Sequence, residues 1–363
     1  MPSPASTPGR ARRGRRRAGI VLLALLLGGL VAFALSRLNL AHVGHALINA
    51  SPGWIVLSLA LMGLSLVMRS VSWHETLRAA LPDTAIQWAA VARATMIGVM
   101  TSAVFPGRLG EPMRVVVLSR RLEGPQRQVL PIVAGTVVSQ TLMNLVALVI
   151  LAIVTLSAVP LLGGHVGGVV IALSIPLLVT LLVIAGPRLL SLGRLSPSTR
   201  LRAAALIVER LLRQARRGLV VFARPRHAAP AVAAQLFAWA LQWLACYAVL
   251  LALHLEHEAG IAAAAAVLLA VNVSAVLPAT PSNVGVFQAA CLVVLAAYGV
   301  AAGPALAYGI ILQAVEVVTA LALGVPALLR EGLTWGDLRR RAEEAEEEEL
   351  RSVTEASAGE SAQ

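Results

Sequence analysis

The sequence predicts an all-α protein, a polytopic transmembrane helical bundle with about six full spans and two broken or re-entrant helix pairs. Three observations support this fold class. Only 13% of the 363 residues are charged and 58% are hydrophobic, whereas soluble domains carry about 25% charged residues. Several apolar runs reach the roughly 20 residues that cross a bilayer. A short motif containing helix breakers also occurs twice, at corresponding places in two halves.

Apolar runs long enough to span a membrane are predicted at 19–36, 52–72, 128–157, 166–186, 230–253 and 304–328. The two interrupted pairs are 86–105 with 109–119, and 261–277 with 283–300. The chain therefore divides into a basic arm, a transmembrane domain and an acidic tail, at 1–18, 19–330 and 331–363. We expect the glutamate run in that tail, Glu343–Glu349, to be solvated.

The distribution of charge predicts the orientation. A net charge of +12 would also suit a nucleic-acid-binding protein, but the arginines lie in loops between spans and are not interleaved with aromatic residues. We therefore expect no nucleic-acid partner. Arginine-rich segments at 10–17 and 188–226 stay in the cytoplasm by the positive-inside rule. We predict a multi-pass protein of the bacterial plasma membrane with both termini in the cytoplasm.

Signals for enzymatic cofactors and metals are weak. The sequence contains no P-loop, dinucleotide fingerprint or nucleophile elbow, so no cofactor is predicted. Two histidine pairs have a spacing that a metal could use but fall in short loops, and no metal site is predicted from them: His42 with His45, and His254 with His257. Both cysteines, Cys246 and Cys291, fall inside predicted helices and are interpreted as core residues.

The helix-breaking motif recurs 172 residues along the chain, as "SAVFP" at 102–106 and "SAVLP" at 274–278. Each copy ends an apolar run, passes through a few Gly, Pro, Ser or Asn residues and opens a new run. Three full spans lie between the copies, so the two pairs would enter the membrane from opposite sides. This pattern is typical of inverted repeats whose broken helices meet near the midplane, where transporters bind their substrates.

The residues after each break predict two helix starts inside the membrane. Glu111 and Pro112 fit an N-cap and a first helical residue, and Pro281, Ser282 and Asn283 offer similar signals. A helix N-terminus carries partial positive charge and free N–H groups. The two breaks therefore predict a place that attracts an anion.

Three arginines add to that field. Arg108 and Arg114 flank Glu111, and Arg69 closes the second predicted span. Because Arg114 follows Glu111 by three residues on one helical face, we expect the two to pair until a phosphate replaces the carboxylate. The alternative is that Arg108, Glu111 and Arg114 merely anchor a helix end at the membrane surface.

The last span contains a further polar pair. Glu316 lies near its middle, one turn after Gln313, and a carboxylate inside a membrane is by default a functional candidate. The alternative is a structural hydrogen bond to a neighbouring helix. Ser139, Gln140 and Asn144, in the third span, are interpreted as interhelical hydrogen-bonding residues.

The segments "PGRLGEPMR" (106–114) and "LPATPSNVGVFQAACLVVLAAYGV" (277–300), with "RSVSW" (69–73) upstream, resemble the transmembrane region of lysylphosphatidylglycerol synthases, a flippase-like integral membrane family. The resemblance covers about residues 19–330. Some members carry a soluble aminoacyltransferase domain and move the aminoacylated phospholipid between leaflets with the membrane part.

The resemblance assigns two sets of motif residues. The first set is Arg108, Gly110, Glu111 and Arg114, and the second is Pro278, Pro281 and Gly285. The chain departs from the family at two places, since members often have glycine in place of Ser282 and glutamate in place of Gln288.

We therefore expect a translocase or binder of an anionic phospholipid or lipid-linked intermediate, whose headgroup the arginines hold near the midplane. The printed sequence contains no aminoacyltransferase domain, so we expect a transporter-like role with a separate lipid-modifying enzyme as a partner. Two alternatives stay open. One is a membrane-embedded transferase acting on a lipid phosphate, with Glu111 or Glu316 as its base. The other is a non-catalytic subunit of an envelope-synthesis complex.

Overall fold

A computed structural model describes residues 48–104, 110–122, 126–158, 221–222, 224–275 and 284–332. Within these ranges the protein is all-helical and contains no strand. The helices in chain order are α1 (Pro52–Ala80), α2 (Trp88–Val104), α3 (Gly110–Ser119), α4 (Gln126–Ala158), α5 (Pro225–Ala252), α6 (Ile261–Ser274), α7 (Val286–Ala297) and α8 (Ala302–Arg330).

Four of these helices are long and apolar enough to cross a membrane. Helices α1, α4, α5 and α8 have 29, 33, 28 and 29 residues, which at 1.5 Å per residue gives about 40 Å or more, against about 30 Å of hydrocarbon. They confirm the spans predicted at 52–72, 128–157, 230–253 and 304–328. The other two predicted spans, 19–36 and 166–186, lie outside the described residues.

The two interrupted pairs form helical hairpins. Helix α2 packs along α3, and α6 packs along α7. Their arms have 17, 10, 14 and 12 residues, so each arm is about 15–26 Å long and too short to cross the hydrocarbon by itself. The arms end and begin close to the predicted breaks, at Val104 and Gly110 and at Ser274 and Val286, and residues 105–109 and 276–283 lie outside the described residues.

Helices α1 and α5 are antiparallel neighbours along their whole length. At one end the backbone N–H of Ser51 donates to the carbonyl of Ala252 over 2.8 Å. At the other end Nη1 of Arg224 donates to the carbonyl of Ala79 over 2.9 Å. The start of α1 therefore lies beside the end of α5.

The packing of helices α1–α4 is repeated by helices α5–α8. Helix α1 packs on α2 and α4, as α5 packs on α6 and α8. Helix α3 packs on α4, as α7 packs on α8. Between the two halves, α2 packs on α8 and α1 on α8, and the corresponding contacts are α6 on α4 and α5 on α4. The α1–α5 contact lies at the centre of this arrangement.

Each half has its own apolar core. One cluster is formed mainly by α5–α8 and includes both cysteines, which are buried as predicted. The other lies among α1–α4 and receives the last turn of α8. Polar side chains also join the two halves, as Arg69 of α1 does with Gln242 of α5.

Candidate functional site: an arginine cluster between the two halves

Arg69 lies in the middle of α1. The sequence places it at the end of a span that stops at residue 72, and this prediction is wrong because the helix continues to Ala80. Counted from Pro52, Arg69 is residue 18 of 29, about 5 Å beyond the helix midpoint. A guanidinium at this depth needs polar or charged neighbours, because lipid offers it none.

The partners of Arg69 come from the antiparallel helix. Its Nη2 donates to Oε1 of Gln242 over 2.5 Å, and its guanidinium carbon lies 5.7 Å from the ring centre of Trp239. Gln242 is residue 18 of α5, counted from Pro225, so it occupies in the second half the position that Arg69 occupies in the first. The two residues thus meet where the halves join.

Arg114 lies deeper in the first half. Its residue is 8% exposed, and its Nη1 donates to Oε1 of Gln140 over 2.7 Å. Its Nη2 forms the predicted ion pair with Glu111. The guanidinium carbon also lies 4.9 Å from the ring centre of Trp73, within cation–π range.

Gln140 connects the two arginines. While its Oε1 accepts from Arg114, its Nε2 donates to the backbone carbonyl of Arg69 over 3.1 Å. This contact confirms that Gln140 is an interhelical hydrogen-bonding residue. One amide from α4 therefore joins α1 and α3.

Helix α4 also fixes the two tryptophan rings. Nε1 of Trp73 donates to Oγ1 of Thr136 over 3.0 Å, and Nε1 of Trp239 donates to Oδ1 of Asn144 over 3.1 Å. Asn144 is thereby confirmed as an interhelical residue. Because each indole N–H is bonded, each ring is held in one orientation with its face toward an arginine.

Each guanidinium has one buried donor atom without a partner among the described residues. The Nε atoms of Arg69 and Arg114 are both buried, and neither has a hydrogen-bond partner in the part of the chain that the structure describes. A buried donor without an acceptor costs about 1–3 kcal/mol. The cluster therefore presents two cationic N–H groups that an acceptor would stabilise.

Two carboxylates belong to the same electrostatic group. The charge of Arg69 interacts with Glu316 on α8 and with Glu111 and Arg114 on α3. The side chain of Glu111 is 55% exposed, whereas that of its partner Arg114 is 10% exposed. Glu111 is therefore the accessible member of a pair whose cation is buried.

The second motif forms a separate, neutral group. Gly285 caps α7 with a backbone φ of 89°, a conformation that glycine adopts without strain. Oε1 of Gln288 accepts from the N–H of Gly285 over 2.7 Å, and Nε2 of Gln288 donates to Oε1 of Gln313 over 2.5 Å. Helix α7 begins at Val286, and the predicted start signals Pro281, Ser282 and Asn283 lie outside the described residues.

Gly110 has a packing role in the first motif. Helix α3 begins here, two residues before Pro112, the predicted first helical residue. A Cβ on Gly110 would overlap with the carbonyl oxygen of Gly98 and with Oγ of Ser102 on α2. The two arms of the first hairpin are therefore in backbone contact at this residue, which brings Arg114 toward α1 and α4.

The remaining predicted site residues, Arg108, Pro278 and Pro281, lie outside the described residues. Gln242 and Trp239 are not among the residues predicted for the site. Their signal was present, since "QLFAWALQW" places two glutamines and two tryptophans within an apolar run. Polar side chains in such a run mark the helix face that meets protein.

The family model for the lysylphosphatidylglycerol synthase TM region matches residues 18–324. The chain belongs to this family. None of the curated proteins compared with it matches. Membership in the lysylphosphatidylglycerol synthase TM region family indicates a flippase-like, lipid-related function in a membrane. The match includes both motifs and the whole arginine cluster, and it ends before the last turns of α8.

Proposed function

We propose that this TM-region protein binds an anionic phospholipid or lipid-linked intermediate through its phosphate and moves it between leaflets. The observation that carries the proposal is the pair of buried guanidinium groups of Arg69 and Arg114, each with an Nε–H that has no acceptor among the described residues. Arg69 lies where the two halves meet, and Gln140 connects it to Arg114 within the first half. The substrate headgroup would bind here while its hydrocarbon chains stay in the lipid.

A phosphate suits this cluster better than other groups do. Guanidinium N–H groups match the spacing of phosphate oxygens and form strong, charge-assisted hydrogen bonds with them. A phosphodiester carries one negative charge, as does the carboxylate of Glu111. Because Glu111 is accessible, a phosphate can replace it on Arg114 without changing the total charge of the cluster.

The packing of the helices supports alternating access. Since α1 and α5 are antiparallel and the contacts of α1–α4 are repeated by α5–α8, we infer an inverted repeat. The α1–α2 loop at 81–87 and the α5–α6 loop at 253–260 then lie at opposite ends, so the two hairpins enter from opposite sides. Rocking of one half against the other exposes a site between them to each leaflet in turn.

Leaflet exchange in liposomes tests the proposal. The purified full chain is reconstituted with fluorescent phosphatidylglycerol, and exchange is followed by quenching of the outer leaflet. We expect exchange above that of protein-free vesicles, and a loss of roughly tenfold or more in Arg114→Gln, because charge-assisted hydrogen bonds are worth about 1.5–3 kcal/mol. The matched control is Arg226→Gln, which removes an exposed arginine at the start of α5.

A second variant guards against misfolding. Arg114→Lys keeps the charge but removes the planar fork, and we expect slow exchange from it as well. Exchange equal to that of protein-free vesicles for the wild type, or equal to the wild type for both Arg114 variants, would contradict the proposal. Mass spectrometry of the recovered lipid tests the alternative function, a membrane-embedded transferase, because a transferase would change the mass of the lipid.

A further inference from the structure

Glu331 joins both arms of the first hairpin to the last long helix. Its Oε1 accepts from Nε of Arg93 over 2.6 Å, and its Oε2 accepts from Nε of Arg121 over 2.9 Å. Arg93 lies in the second turn of α2, and Arg121 follows the end of α3. The sequence assigns Glu331 to the acidic tail, yet its side chain is only 5% exposed.

Local helix chemistry does not account for a glutamate here. Glu331 is the C-cap of α8, where the negative end of the helix dipole disfavours a carboxylate. In the preceding turn Arg330 is exposed, whereas Ala327 and Leu328 pack in one cluster with Leu118 of α3. A buried carboxylate in such a place needs compensating cations, and the two arginines supply them.

The second half has no counterpart of this arrangement. By position within the helices, Arg93 of α2 corresponds to Ala266 of α6, and Arg121, two residues after α3, corresponds to Gly299 after α7. Neither side chain can carry charge. The ion pairs therefore exist at one end of the bundle, the end where α1 and α8 finish.

We propose that Glu331, Arg93 and Arg121 form a clasp that holds the base of the first hairpin against α8 and keeps this end of the bundle closed. The clasp positions the hairpin that carries Arg114, and its ion pairs must separate before the cluster opens toward that side. The arginine side chains are 25% and 49% exposed, so water can reach and replace the contacts. Only the consequence for lipid movement rests on the proposed function.

Cysteine accessibility tests the clasp without any lipid substrate. The background carries Cys246→Ala and Cys291→Ala, and the reporter is Ser119→Cys, at the buried end of α3 (2% exposed). In liposomes, we expect Glu331→Gln to speed labelling by a membrane-impermeant maleimide by roughly tenfold, equivalent to about 1.4 kcal/mol of closing free energy. The matched control is Arg120→Gln, whose exposed side chain has no ion pair among the described residues.

A second reporter separates opening from loss of fold. Ala305→Cys lies buried on α8 near its first residue, far along the helix from Glu331, and its labelling should not change in Glu331→Gln. Reversal of all three charges, Glu331→Arg with Arg93→Glu and Arg121→Glu, should restore slow labelling of Ser119→Cys. If Glu331→Gln folds poorly, Arg121→Gln opens the same contact while Arg93 keeps its bond.

Two results would overturn the clasp. One is unchanged labelling of Ser119→Cys in both Glu331→Gln and Arg121→Gln. The other is equal acceleration at both reporters, which indicates a loosened fold. If labelling responds as expected but neither the wild type nor any variant exchanges lipid, the result supports the clasp and contradicts the proposed function.

Discussion

At the scale of single residues, the two buried arginines are stabilised largely by groups that leave their charge in place. Gln242 and Gln140 accept hydrogen bonds through neutral amide oxygens, and two indole rings face the guanidinium groups. An amide and a ring face stabilise a cation without cancelling it. Among the described residues, the contact of Arg114 with Glu111 is the ionic one, and it is the contact that a substrate phosphate would replace.

Gly110 provides a stability prediction at this scale. We expect Gly110→Ala to lower the free energy of unfolding by about 1–3 kcal/mol, because the added methyl group overlaps with the backbone of α2 and forces the hairpin arms apart. Gly260→Ala is the matched control, since a Cβ there meets nothing within 4 Å. Thermal unfolding in detergent measures both. Equal midpoints for the two variants would show that the arms are not in contact.

The contacts that could be predicted from the sequence are those between residues close together in the chain. The pair of Glu111 and Arg114 follows from spacing within one helix, and the structure contains it. The contact of Arg69 with Gln242 joins residues 173 positions apart, and no local pattern indicates it. The predicted end of α1 is wrong for another reason. A run of about 20 apolar residues is the minimum length that crosses a bilayer, and a helix can continue beyond it.

At the scale of elements, helix starts depend on contacts that residue type alone does not show. Ser282 and Asn283 are good N-cap residues by type, but α7 starts after Gly285, where the amide of Gln288 reaches back to the backbone. The first hairpin was predicted more closely, because Pro112 and Glu111 lie in the first turn of α3 itself. A cap made by a side chain of the following turn is harder to read from sequence.

The clasp gives a pH prediction for the contact between α8 and the hairpin. Burial opposes ionisation of Glu331, but the hydrogen bonds and charges of Arg93 and Arg121 outweigh it and hold the pKa of this carboxyl below its ordinary value of 4.5. The stabilisation is therefore complete above about pH 4.5 and is lost as the pH falls through the lower folded-state pKa.

Thermal unfolding from pH 7 to pH 3 measures this effect as a difference between two proteins. The unfolding midpoint of the wild type should exceed that of Glu331→Gln by a constant margin down to about pH 4.5, and this margin should shrink at lower pH. Subtraction removes the contribution of other carboxylates. A margin that stays constant down to pH 3 would mean that ionised Glu331 does not stabilise the fold.

At the scale of the whole molecule, the arrangement of the halves rests on the antiparallel contact of α1 with α5. Oγ of Ser58 donates to the carbonyl of Ala245 over 2.9 Å. We expect Ser58→Cys with Ala245→Cys to cross-link in the background without native cysteines. The control pair is Ser58→Cys with Ala228→Cys, near the other end of α5. Peptide mass after proteolysis identifies the linked product, and linkage of the control pair in its place would indicate parallel helices.

The overall architecture was largely predictable, because its signals are long. Four apolar runs and two interrupted ones correspond to helices in the structure, since lipid permits few alternatives to a helix. In the sequence, the repeat rests on only five residues between positions 99 and 106 that recur 172 positions later. The repeated packing of α1–α4 and α5–α8 supports it more strongly than these five matches do. What sequence could not supply was the partner of each buried polar side chain.

The meeting of Arg69 with Gln242 constrains how two such halves can differ. Both residues hold the same place in their helices and touch across the junction, so identical side chains there would set two guanidinium groups face to face in a medium of low dielectric constant, where like charges repel strongly. An amide on one side removes the repulsion and accepts a bond. Two halves with identical side chains would therefore be unfavourable at this contact. Only one of the two halves can carry the arginine there.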